Sequence, residues 1–243
     1  MKLRANHQRS KLAILFVWIV LFIEIISIFS SYLQYDLLTK VKNGGSVTPE
    51  IAKSNDLREL IIGIVYIILY LISAVIFIRW FRRACFNLNL KVKTLTFTDG
   101  WAAGAWFVPI LALYRPYQIM KELFEQTSKY LTKNEVDKNL ENSFLPTINI
   151  WWTLWIVNSI LGQISFRYSR NSSTVDEFIN GTIISLISSI IAIPLAIYTV
   201  KLINEYSELE TSLFNLNEES EQVVIQEVLN NNELQAEDDT FIN

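Results

Sequence analysis

Glu24 is the side chain whose type and place most call for chemistry. It is the only acidic or basic residue within four long apolar runs, and ionisable groups in such runs mark proton, ion or ligand contacts. At 1.5 Å per helical residue, Glu24 lies about 18 Å from Leu12, where its run begins. Counted from the matching ends of the other runs, Tyr66 lies about 20 Å from Arg79, Gln163 about 20 Å from Ile150 and Ser188 about 20 Å from Lys201. The four side chains could therefore share one polar layer. That layer would suit a proton or ion site or a ligand contact, and it would equally suit a carboxyl that only pins helix packing. Asn158 and Ser73 read as hydrogen-bonding glue between helices.

Enzyme chemistry has little to work with. His7 is the only histidine and sits in a basic segment ahead of the first apolar run, while Cys85 is the only cysteine, so no His/Cys metal cluster can form. No Walker-type, dinucleotide-binding or nucleophile-elbow spacing occurs. The expectation is a non-enzyme without catalytic residues, metal or cofactor. A single thiol beside Arg82 and Arg83 also excludes an internal disulfide and reads as a small buried side chain on a reducing face.

The elements that must position Glu24 follow from composition. Hydrophobic residues make up 51% of the 243 residues, too many for an ordinary globular surface, and they are blocked into runs. The expected spans are 12–33, 60–78, 148–166 and 178–198. The first is longer than a signal-peptide core and no A-x-A site follows it, so it reads as an uncleaved span. Between the first two, 36–59 reads as a polar loop with Ser54 or Asn55 as the helix cap. Trp151, Trp152 and Trp155 place the start of the third at an interface, and Pro194 in the fourth is tolerable where neighbours meet the freed carbonyl.

Charge sets the expected orientation. Fifteen Lys and Arg fall before the first span, between Arg79 and Lys138, and at Lys201; six fall in the other two loops. By the positive-inside rule both termini and the middle segment are cytoplasmic, in a multi-pass protein of the cell (inner or plasma) membrane. The middle segment must then cross zero or two times.

That segment, 98–131, carries the densest motif. From Trp101 to Tyr114 is about 21 Å as a helix, short of a roughly 30 Å hydrocarbon core. Pro109 and Pro116 each remove a helical hydrogen bond, so two bends are expected. Gly100 and Gly104 make a GxxxG spacing that reads as a packing face. Trp101, Trp106, Tyr114 and Tyr117 read as an interfacial belt. After Pro116 the pattern is amphipathic, with Met120, Leu123, Phe124, Thr127 and Leu131 on one face, as in a helix lying on the cytoplasmic surface. A polar stretch at 129–143 reads as a helical turn and loop.

Arg83-x-x-x-Asn87, the run Gly100-Trp101-Ala102-Ala103-Gly104-Ala105-Trp106-Phe107-Val108-Pro109, and Arg115-Pro116-Tyr117-x-x-Met120-x-Glu122-Leu123 together resemble an uncharacterised bacterial membrane family known as domain of unknown function 4328. The resemblance covers roughly 60–206 and departs from the family pattern at Asp99, Ala105 and Ala112. It implies a multi-span membrane domain and supplies no activity or substrate.

The last 39 residues, from Glu205, hold eleven Asp or Glu and no Lys or Arg. The last helix is expected to run on through Leu202, Tyr206, Leu209, Leu213 and Phe214, and the remaining acidic tail reads as disordered, with at most a short helix at 223–229. The fold class expected is all-α: an integral membrane four-helix bundle in 12–206, a non-spanning central element that is re-entrant or interfacial, a basic N-terminus at 1–11 and an acidic tail at 207–243. The first expected function is a scaffold or accessory subunit binding a protein partner or lipid at the cytoplasmic face through the central element or the tail. The second is a small transporter or channel-like component using Glu24. The basic cluster of Arg79, Arg82, Arg83, Lys91 and Lys93 reads as topology and headgroup attraction, and no nucleic acid is expected.

Overall fold

In the computed structural model, which describes residues 2–134, 136 and 143–241, every regular element is a helix. The expected turn and loop at 129–143 is described only in part. Helix runs to Lys133, and residues 135 and 137–142 lie outside the described residues, as do the last two residues of the tail.

The long helices outrun the apolar segments inside them. α1 is His7–Lys42 and α2 is Pro49–Lys91, so the loop expected at 36–59 shrinks to 43–48. Gly44, at φ 79°, turns the chain in the left-handed region. The Ile51 amide then donates to the Thr48 hydroxyl at 3.4 Å, and Pro49 occupies the first turn. Ser54 and Asn55, expected as caps, lie one turn further on inside α2.

Among the described residues three helices are long and apolar enough to cross a membrane: α1, α2 and the Val175–Glu218 part of α7 (Val175–Phe241). α6, Leu145–Asn171, has the length, but Asn149, Asn158 and Gln163 dilute its apolar run.

α1 packs between α2 and α7, and α7 packs on both α1 and α6. α2 and α6 touch through the Phe77–Trp151 ring pair, centroids 6.1 Å apart, and a cleft lies between them beyond it. At the far end α1 is tied to its neighbours by polar contacts. Arg58 Nε donates to Ser30 Oγ at 2.8 Å, Gln34 donates to Thr182 at 3.1 Å, and Lys42 pairs with Asp176 at 2.7 Å. Gly181 brings α7 close to α6: a Cβ there would sit 2.9 Å from that of Tyr168.

The hydrophobic core lies at the other end, past the apolar runs. Trp80, Phe81 and Leu88 of α2, Phe124 of α5 (Arg115–Lys133) and Tyr206 of α7 are fully covered there, with Ile148 at the start of α6. This cap corrects the expected role of α5. Its apolar face is the expected one, but α2 and α7, running on beyond their apolar stretches, cover it, so the face meets protein and not lipid.

Between α2 and α5 the chain breaks into α3 (Asp99–Gly104), a 3₁₀ turn (Ala105–Phe107) and α4 (Pro109–Ala112). One break falls at Val108, the residue before Pro109, where proline disfavours helical backbone, and the other at Tyr114, two residues before Pro116, which stands in the first turn of α5. The longest of these pieces, six residues, is about 9 Å long, too short to cross a bilayer.

The tail differs from expectation. α7 continues as one helix through Phe241, because no proline or glycine falls after Pro194 and helix formers such as Glu, Leu and Gln dominate. Side chains at Leu209, Glu210, Leu213 and Asn217 are buried in the cap, so the acidic segment begins as part of the folded body.

Candidate functional site

The cleft between α2 and α6 is the candidate site. Its volume is about 680 Å³, and its walls are hydroxyl-rich: serines from all four long helices line it, among apolar and aromatic side chains. On α2 the lining runs from Glu59 to Ile78, about 28 Å of helix and so close to the thickness of a hydrocarbon core. Phe77, Trp106 and Trp151 close its inner end. The Trp106 ring stands edge-on to Phe77 (6.0 Å) and Trp155 (5.6 Å), and its N–H donates to the Ala102 carbonyl at 3.1 Å.

Glu24 sits midway along the cleft and is 7% exposed. The hydroxyls of Tyr66 on α2 and Ser189 on α7 are its polar neighbours, so three helices converge on the carboxyl group. Ser188 donates instead to Asn158 Oδ1 on α6, at 3.0 Å. The structure thus brings Glu24, Tyr66 and Ser188 to the same cleft. Gln163 is not brought there: it is exposed, one residue and so about 100° round α6 from Gly162, which does line the cleft. A layer matched by depth alone could not tell which side of α6 faced inward, and Asn158, five residues away, takes the position assigned to Gln163. Ser189 went unassigned; its signal was its adjacency to Ser188 in Ser188-Ser189.

Gly63 on α2 and Gly162 on α6 also line the cleft, and a Cβ at either would meet open space. Neither glycine serves a close helix approach.

The motif residues divide between the floor and the cap. Trp106 is the floor. Asn87 holds the N-terminal segment, accepting from the Arg4 amide at 3.0 Å and donating to the Arg4 carbonyl at 2.9 Å. Glu122 accepts from the amides of Thr96 (2.7 Å) and Phe97 (3.2 Å), fixing the approach to α3. Tyr117 donates to Asn149 at 2.8 Å, joining α5 to α6, and the Arg115 guanidinium lies 5.1 Å from the Phe97 ring. Pro109 and Pro116 start α4 and α5. Arg82 pairs with Asp99 at 3.1 Å.

The GxxxG reading is corrected. Gly104 has nothing within 4 Å of a built Cβ, and Gly100 has only its near neighbour Thr98 at 3.7 Å. α3 is too short to present a helical face, and the residues that pack are Ala102 and Ala105, both fully buried. Trp101 is exposed, and so are Phe107 (77%), Ile110 (74%) and Leu113 at the tip of the central element.

Sequence reasoning missed a second buried carboxylate. Glu210, 4% exposed, accepts from Asn87 Nδ2 at 2.7 Å and from Asn6 Nδ2 at 2.9 Å. Burial raises its pKa, while the two amides and the Arg83 charge oppose that rise. Arg83 itself is held below its ordinary value by burial and then by Arg9 and Arg4. The available signal was helical spacing: Glu210 falls in the stripe Tyr206, Leu209, Leu213, Asn217. Burial likewise pushes the Cys85 thiol well up, leaving it protonated and unreactive.

No curated protein and no solved structure matches this chain. The family model described as domain of unknown function (DUF4328) matches residues 43–208, which take in the cleft walls from α2, α6 and α7 and the whole motif, while α1 with Glu24 precedes the matched segment. With more than half of its length matched, the chain belongs to the DUF4328 family.

Proposed function

We propose that this is a four-span membrane protein, with α6 as the fourth span, whose work is to bind a hydrophobic ligand that enters the cleft from within the bilayer, as a non-enzymatic carrier or transport component. The observation that carries the reading is a cleft of about 680 Å³, matched in length to the hydrocarbon core and walled by serines about a single buried carboxylate. Serine hydroxyls and a carboxylate are poor company for acyl chains alone, and pockets with a few convergent polar groups on apolar walls are where ligands bind. The fifteen-to-six bias of Lys and Arg supports a cytoplasmic placement for the cap and both termini in a cell membrane. Cysteines engineered at Lys93 and Lys133 are expected to label from the same side.

In nanodiscs of phosphatidylcholine brominated on its acyl chains, entry of any apolar chain into the cleft quenches Trp106, Trp151 and Trp155. Gly63→Leu combined with Gly162→Leu fills the cleft where a side chain meets open space. The expected result is weaker tryptophan quenching in that variant; equal quenching in both proteins removes the reading.

A second reading, a scaffold docking a protein partner or lipid, has its own support in the exposed tip of Phe107, Ile110 and Leu113. Replacing the three by Ser is expected to release a cap-bound partner without affecting quenching in the cleft.

A further inference from the structure

We infer that the ligand of the cleft is a lipophilic organic monocation, an amine or quaternary onium group on a hydrophobic body, held at the Glu24 carboxylate. The inference rests on the cleft reading and adds the chemistry of the ligand. Its ground is charge asymmetry. Among the described residues, the side chains that line the cleft include two carboxylates, Glu24 and Glu59, and no Lys, Arg or His. Glu59, at the outer mouth, is already engaged by Ser30 and lies 3.5 Å from Arg58. Glu24 has only the neutral partners Tyr66 and Ser189, and no cation from α1, α2, α6 or α7 lines the space it faces.

An unpaired carboxylate is costly in such surroundings, and a ligand that brings the missing positive charge, displacing any proton the group holds, gains most where the dielectric is low. The walls add what an onium group needs. Tyr66 and Tyr70 stack at 5.9 Å with Trp155 on the facing wall, a set of aromatic faces suited to cation–π attraction, and the serine oxygens can accept from an amine. The same asymmetry keeps a phospholipid headgroup out of the cleft, because its phosphate would find no basic partner there, while acyl chains of the surrounding bilayer can still enter it. An anion or a neutral chain of equal size gains none of this.

The test is equilibrium dialysis of the full chain in neutral detergent against tetraphenylphosphonium, with tetraphenylborate as a probe of the same shape and opposite charge. Saturable binding of the phosphonium is expected, with tryptophan quenching, and no saturable binding of the borate. Glu24→Gln, which keeps size and hydrogen bonding, is expected to weaken phosphonium binding at least tenfold, and Glu24→Asp to retain most of it. Gly63→Leu with Gly162→Leu is expected to abolish it.

Equal phosphonium binding by wild type and Glu24→Gln, with the double leucine variant still blocked, overturns the cation assignment and leaves the cleft reading standing. Binding that survives the leucines overturns both. Absence of phosphonium binding by folded wild type, or equal binding of the borate, also overturns the assignment. Size-exclusion profiles and melting temperatures keep misfolding of a variant from passing as loss of binding.

Discussion

Glu24 and Glu210 are both buried carboxylates, and they sit in regions built on different principles. Around Glu210 the cap is close-packed. Two asparagine amides donate to its oxygens, Arg83 stands near, and rings such as Trp80 and Tyr206 leave no exposed surface. Around Glu24 the helices stand apart, two hydroxyls are its polar neighbours, and about 680 Å³ is left open. A carboxylate that fixes structure is met from every side by donors and a charge, whereas one beside open space retains capacity for something that arrives later. On the proposed reading, that difference makes Glu210 the structural group and Glu24 the binding one.

The largest effect should come from the cap's packing. Trp80→Ala removes a fully buried ring that contacts Phe77 and Tyr206, at centroid separations of 5.4 and 6.1 Å. It should cost about 3–5 kcal/mol, against roughly 0.5 kcal/mol or less for Ile67→Ala on the exposed wall of the cleft. Melting temperatures in one detergent compare the two, and similar losses would erase the distinction between a dry cap and an open cleft.

A smaller loss, about 1–3 kcal/mol, is expected for Asn87→Ala, which strips one donor from buried Glu210 and frees the Arg4 backbone. Its pH dependence sharpens the point. Burial holds the Glu210 carboxyl above its ordinary 4.5, so the folded chain keeps that proton more tightly than the unfolded chain. The resulting stabilisation is complete below pH 4.5 and is lost as pH rises through the folded value. Glu210→Gln should flatten the fall in melting temperature over that range; an unchanged slope would place the titration elsewhere.

The smallest contrast lies between two glycines in the membrane helices. Gly181→Leu forces α7 against Tyr168 and should cost about 1–3 kcal/mol, while Gly63→Leu enters open space and should change stability by about 0.5 kcal/mol or less. Equal melting temperatures for the two variants would mean that the helices adjust freely at both places.

Much of the architecture was legible in local pattern. The apolar runs, the two breaks before Pro109 and Pro116, and the amphipathic face from Met120 to Leu131 follow from residue type and spacing within a few turns. Depth along a helix was legible too, which is why Glu24, Tyr66 and Ser188 were brought to one cleft. Rotation about the helix axis was not, and Gln163 is the cost: in a segment apolar on most sides, a weak moment does not say which stripe faces the interior. The same limit misassigned Gly100 and Gly104, whose spacing suits a helix face that a six-residue helix does not possess.

What the sequence alone determined is therefore what depends on neighbours in the chain: helices, their breaks, their apolar character and family membership. Only the tertiary structure decided that α2 and α7 run on to build a dry cap over α5, that Glu210 is caught between Asn6 and Asn87, and that α2 and α6 stand apart around Glu24. Those outcomes depend on which faces of distant helices meet, and that choice is made by side-chain volume and donor geometry in three dimensions, not by order along the chain.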